Sequence, residues 1–234
     1  MARASFMTAR LRLPGNAVSR KRVAVLISGR GSNMAALIEA AKDANYPAEI
    51  VLVVSNRPDA AGLGTAKTAG IATEVVDHTA YGKDRAGFER ALQAVLEKHR
   101  VELVCLAGFM RLLTADFVGR WQGRMLNIHP ALLPAFKGLD THNRVLQAGL
   151  KIHGATVHFV VPEMDSGPII AQGAVAVRDN DSEATLAARV LTVEHSIYPQ
   201  ALALVAQGRV SIADGRCLID GRPVPDPASL TPSG

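Results

Sequence analysis

The sequence predicts an α/β protein: a doubly wound, mostly parallel sheet with an antiparallel C-terminal addition. Three observations carry that reading. From Arg22 onward, short β-branched runs alternate with helical stretches, and such alternation implies parallel strands joined by right-handed crossovers. Val51-Leu52-Val53-Val54 and Leu103-Val104-Cys105-Leu106-Ala107 are apolar throughout, as strands are when helices cover both faces of their sheet. Between the first strand and its helix lies Ser28-Gly29-Arg30-Gly31-Ser32-Asn33, a loop of the kind an open α/β sheet uses to hold a phosphate.

Taken in order, Val23-Ala24-Val25-Leu26-Ile27 reads as the first strand and residues 33–44 as an Ala-rich helix. A strand over 50–54, a helix over 62–69 closed by Gly70, and a strand over 71–76 follow. A longer helix spans about 84–100, ahead of a strand over 101–106. The second half is less regular, with a short helix near 114–120 and a strand over 125–128. Thr141 has the side chain to cap a helix that Gly149 ends. Residues 155–161 and 169–177 read as antiparallel strands around a Pro/Asp/Gly turn. Asp181 or Ser182 opens a long helix, expected to break near Pro199. Residues 22–223 are therefore taken as one domain, residues 1–21 as a disordered basic leader, and residues 224–234 as a flexible tail.

Bulk properties narrow the function classes. No apolar run approaches the roughly 20 residues of a membrane helix, so the chain is read as soluble. Cys105 and Cys217 form no CxxC motif, and Cys105 sits in an apolar run, which points to a buried thiol in a reducing cytoplasm. The net charge of +5 invites a nucleic-acid reading, but Arg3, Arg10, Arg12, Arg20, Lys21 and Arg22 carry much of the excess with no acid among them. An aromatic content of 4% also leaves little for base stacking. The expected partners are small molecules, with neither nucleic acid nor membrane.

The glycine loop departs from the dinucleotide fingerprint. Ala35-Ala36 stand where a third glycine belongs, and Val54-Ser55-Asn56-Arg57 offers no acid for a ribose. No Gly-Lys-Ser/Thr follows, so it is not a Walker loop either. More informative is Leu126-Asn127-Ile128-His129-Pro130: on a strand, Asn127 and His129 share one face. An amide beside an imidazole suits acyl-type chemistry, because both can donate to a developing oxyanion and the imidazole can move protons. Downstream, Asp165 heads Asp165-Ser166-Gly167-Pro168, by local rules a turn residue unless it partners His129. His158 alternates with Val157 and Phe159 and reads equally as an active-face or a core histidine. HExxH, Cys/His zinc spacing and GxSxG are all absent from the sequence, so no metal is expected.

Together, residues 27–33, Leu106-Ala107-Gly108-Phe109-Met110-Arg111, the Asn127–Pro134 segment, and His153 through Pro168 resemble the formyltransferase family, in order and spacing, from about Arg22 to Pro223. The resemblance implies a Rossmann-like N-terminal part and 10-formyltetrahydrofolate as co-substrate. It also implies transfer of the formyl group to the amine of 5'-phosphoribosylglycinamide in purine biosynthesis, with formyltetrahydrofolate hydrolysis as the alternative. Asn127, His129 and Asp165 match the catalytic trio. The phosphoribosyl substrate would lie on Gly31, Ser32 and Asn33, with Glu194 near its glycinamide. Folate would lie against Arg85, Met110, Arg111, Leu112 and Leu113, against Asn127, and along Val161, Pro162, Glu163, Met164 and Asp165. Such an enzyme would act in the cytoplasm as a monomer or a homodimer. Asp140 and Leu191 stand where some relatives carry other polar residues, and the basic leader has no counterpart in the family pattern.

Overall fold

A computed structural model describes residues 20–223. The elements run β1 (Lys21–Ile27), α1 (Ser32–Ala40), β2 (Ala48–Ser55), α2 (Gly62–Thr68), β3 (Ala72–Val75), α3 (Arg85–Lys98) and β4 (Leu103–Leu106). They continue through α4 (Ala115–Arg120), β5 (Met125–His129), α5 (Thr141–Gln147), β6 (Ile152–Phe159), β7 (Ile169–Ala176) and α6 (Glu183–Ala206). A seven-stranded sheet has the order β3-β2-β1-β4-β5-β6-β7. β3 through β5 pair in parallel, and β6 and β7 add antiparallel.

Alternation along β1 shows why its run is apolar at every position. Val23, Val25 and Ile27 face Met34 and Leu37 of α1 and Leu186, Val190 and Tyr198 of α6. Ala24 and Leu26 face the opposite layer, with Leu52, Val54, Phe88, Leu92, Leu96 and Trp121. Each fully buried Val, Leu or Phe contributes roughly 1.5–3 kcal/mol, so both layers hold the sheet. Cys105 is wholly buried in this core, and burial pushes its thiol up to about 12.

Chain order reverses between β1 and β4, which lie side by side with β2 beyond one and β5 beyond the other. A crevice opens at such a point, outside the carboxyl ends of the strands.

Four expectations are corrected. Pro199 does not break α6, which runs on to Ala206. An interior proline costs about 3 kcal/mol, but Tyr198, Ala201 and Leu202 are fully buried around it, and their packing outweighs that cost. Asp140, in the left-handed region, is the N-cap of α5; Thr141 instead donates its hydroxyl to Pro130 O at 2.7 Å. Residues 210–223 form a small antiparallel sheet, β8 (Val210–Ala213), β9 (Arg216–Ile219) and β10 (Arg222–Pro223), where no strand was expected after the long helix. Lys21, assigned to the leader, opens β1, and Arg20 donates from its guanidinium to Ala41 O and Ala48 O. The rest of the expected leader, residues 1–19, and the expected tail, 224–234, lie outside the described residues. Among the described residues, no helix is long and apolar enough to cross a membrane.

Candidate active site

A cleft of about 420 Å³ opens at the switch between β1 and β4. Its walls are residues 28–33 after β1, Asn56 and Arg57 after β2, His78, and Ala107, Gly108, Met110 and Arg111 after β4. Ser28 interlocks three of these loops: its hydroxyl donates to Asn56 Oδ1 at 2.5 Å and accepts from Met110 N–H at 2.7 Å, while its own N–H donates to Gly108 O. α1 starts at this loop with Gly31 as N-cap and no side-chain cap, so its first N–H groups stay free for an anion. Arg30, Arg57 and Arg111 line the cleft, and among the described residues no carboxylate does. Arg57 is already paired with Asp59. The wall is therefore cationic, which suits a phosphate.

One strand further along, β5 carries Asn127 and His129 at its carboxyl end. Asn127 pairs in register with Leu106, the residue before the cleft-lining Ala107. Both ring orientations follow from acceptors that can only accept. His158 Nδ1 lies 2.8 Å from Phe159 O and so carries the proton, which leaves Nε2 to accept from Asn127 Nδ2 at 3.3 Å. That contact fixes the amide with its second N–H unspent. Burial pushes the pKa of His158 down, which keeps it a neutral acceptor. His129 donates Nε2–H to Phe136 O at 3.0 Å, and its Nδ1 faces Asp165 Oδ2 at 3.5 Å.

Asp165 reaches this position from a turn pressed against β6. A Cβ on Gly167 would lie 1.7 Å from Phe159 O, so only glycine lets the turn come so near. Asp165 itself has φ 51°, a left-handed conformation that Asp and Asn tolerate better than most residues. Gly138 N–H donates to Asp165 Oδ2 at 2.8 Å. Both His129 and Asp165 are nearly buried, at 7% and 10% side-chain exposure, so their interaction is little screened by water.

Glu194 joins the two regions. Asn33 Nδ2 donates to its Oε2 at 2.6 Å. Burial raises the pKa of Glu194, while the Asn33 hydrogen bond and the nearby His195 and His129 lower it. One turn on, the single O–H of Tyr198 is shared between Leu106 O at 3.0 Å and Leu126 O at 3.3 Å and so pins α6 across the ends of β4 and β5.

Of the residues singled out in the sequence, Gly31, Ser32, Asn33, Met110 and Arg111 line the cleft. Asn127, His129 and Asp165 converge beside it. Met110, Leu112 and Met164 are large, exposed apolar side chains on the flanking loops, as is Leu139, which the sequence reading did not select. Leu113 packs instead against the core beneath. Val161 is half-buried, and Pro162 and Glu163 are exposed on the segment leading to Asp165. Arg85 opens α3, exposed and outside the cleft lining. The sequence reading gave no role to Arg30, Asn56, Arg57 or His78. Asn56 and Arg57 follow the carboxyl end of a parallel strand, which was the available signal.

The pattern of the formyl transferase family matches residues 21–202. Phosphoribosylglycinamide formyltransferase of Escherichia coli (strain K12) is 43% identical over 203 residues, covering 87% of this chain and 95% of that protein. The trifunctional purine biosynthetic protein adenosine-3 of Bos taurus is 51% identical over 195 residues; the match takes in 83% of this chain but only 19% of that longer protein. The crystal structure of glycinamide ribonucleotide transformylase 1 from Symbiobacterium toebii superposes with a TM-score of 0.83 at 42% identity, covering 86% of this chain and 94% of that one. With a family pattern spanning both the cationic cleft and the Asn–His–Asp cluster, the chain belongs to the formyl transferase family.

Proposed function

We propose that this chain transfers the formyl group of 10-formyltetrahydrofolate to the amine of 5'-phosphoribosylglycinamide, a step of purine biosynthesis, in the cytoplasm and as a monomer or homodimer. The observation that carries the reading is the convergence of Asn127, His129 and Asp165 beside a cationic cleft, with Glu194 between cluster and cleft. The free N–H groups of Gly31, Ser32 and Asn33 would hold the phosphate, and Arg111 would meet a folate carboxylate. Met110, Leu112 and Met164 offer apolar surface to a flat heterocycle. Glu194 would hold the amine, and its raised pKa suits it to take a proton from the ammonium form before attack.

Attack on the formyl carbon places negative charge on the formyl oxygen. The unspent N–H of Asn127 would donate to that oxygen, and an imidazolium at His129, its two N–H groups held by Phe136 O and Asp165, would stabilise it through charge alone. Asp165 would hold His129 through Nδ1 and guide the proton from the amine toward the departing folate nitrogen. A hydrolase would need the same trio but no group for an amine.

The test follows labelled formyl from 10-formyltetrahydrofolate, with and without phosphoribosylglycinamide. Label should move to the ribonucleotide and depend on it. Formate released at the same rate without the amine would replace transfer by hydrolysis.

A further inference from the structure

We infer that Arg144 is a positioning residue that clamps the strap 136–140 and through it sets the geometry of His129 and Asp165. The inference rests on the chemical role proposed for that pair. The strap touches both members at once: Phe136 O accepts from His129 Nε2 at 3.0 Å, and Gly138 N–H donates to Asp165 Oδ2 at 2.8 Å. A shift of the strap therefore moves both partners of the 3.5 Å His129–Asp165 contact.

The strap is not at ease in this shape. Phe136 has φ 55°, Gly138 φ 81° and Asp140 φ 58°, so two of the three left-handed residues carry a Cβ that this conformation crowds. Such backbone persists only where its surroundings hold it. Arg144, on the last turn of the short α5, supplies much of that hold. Its Nη1 donates to Lys137 O at 2.7 Å and to Leu139 O at 3.2 Å. Its guanidinium lies over the Phe136 ring, 5.3 Å from the centroid, and its backbone N–H donates to Asp140 O. The carbonyls of residues 136, 137, 139 and 140 are thus divided between His129 and Arg144. One planar fork grips two carbonyls and an aromatic face, a combination that a lysine ammonium cannot reproduce.

Misplacement of a reacting group by about 1 Å can cost on the order of 10²-fold in rate, so a loosened strap should be felt in turnover more than in binding. The experiment compares the full chain with Arg144→Ala and Arg144→Lys, measuring kcat, the KM for the ribonucleotide, and amide hydrogen exchange across 130–145. Arg144→Ala should lower kcat about tenfold, equivalent to ~1.4 kcal/mol, with KM within twofold of the parent. Exchange should quicken in 136–140 but not in β5, and Arg144→Lys should recover only part of the loss. The clamp is overturned by a kcat within twofold in Arg144→Ala, by full recovery with lysine (which would reduce the effect to charge alone), or by unchanged exchange in the strap. A parent chain with no formyl transfer would sink the proposed function, while the exchange comparison would still decide whether Arg144 holds the strap.

Discussion

Asp165 joins two local properties that rarely have to coincide: a left-handed backbone at φ 51° and a nearly buried carboxylate facing His129. Asparagine accepts the same backbone and keeps an oxygen for Gly138 N–H, so Asp165→Asn should leave the turn intact while removing charge and basicity. If Asp165 guides a proton, kcat should fall by about 10²–10⁴-fold, with both ligand affinities nearly unchanged. Calorimetry on both ligands and single-turnover rates check this. A folded variant within threefold of the parent, with chemistry limiting, would return Asp165 to a turn residue and leave Asn127 and His129 to carry the reaction.

At the level of the element, the join of β1 to α1 is the part whose geometry best suits an anion. Gly31 has φ 72°, and a Cβ there would stand 3.1 Å from Met34 Cε and 3.3 Å from Gly62 Cα. Gly31→Val should therefore strain the left-handed position by about 1–2 kcal/mol and push α2 away from the loop. The expected consequence is a raised KM for the phosphoribosyl substrate, tenfold or more, with folate affinity little changed. Loss of folate affinity with ribonucleotide binding intact would swap the two ligand assignments. α6 makes the complementary point: Glu194 and Tyr198 lie one turn apart on the same helix, so the helix that buries Leu186 and Val190 also delivers a carboxylate to Asn33.

For the whole molecule, a histidine pair joins α5 to β6, and there pH acts on folding itself. His142 Nδ1 lies 3.1 Å from His153 Nε2, and His153 is almost fully buried. Burial, and then His142 and His129, lower the pKa of His153 from 6.5 to about 4. A folded-state pKa depressed below the unfolded value means that the unfolded chain binds the proton first. The stability contributed is complete above about pH 6.5 and is lost as pH falls toward about 4. The melting temperature should decline over that window, and His153→Gln should flatten the decline. An unchanged slope in the variant would assign the acid sensitivity to other groups.

How much of this was legible without coordinates depends on the range of the interaction concerned. Apolar runs and strand–helix alternation determined the parallel sheet and its two covered faces, because a strand covered on both sides has no polar position to spare. The spacing of Asn127 and His129 put them on one face because strand periodicity is two. Pro199 was misread for the opposite reason: local propensity is outweighed there by the packing of Tyr198, Ala201 and Leu202, which the sequence does not display. The meeting of Asp165 with His129, of Asn33 with Glu194 across 161 residues, and of the strap with Arg144 was likewise left to the tertiary structure. The sequence by itself determined the layers of the fold and singled out the candidate reacting groups, which are properties of short segments. Only the tertiary structure decided which of those groups touch, because such contacts depend on how distant segments pack over the ends of the sheet.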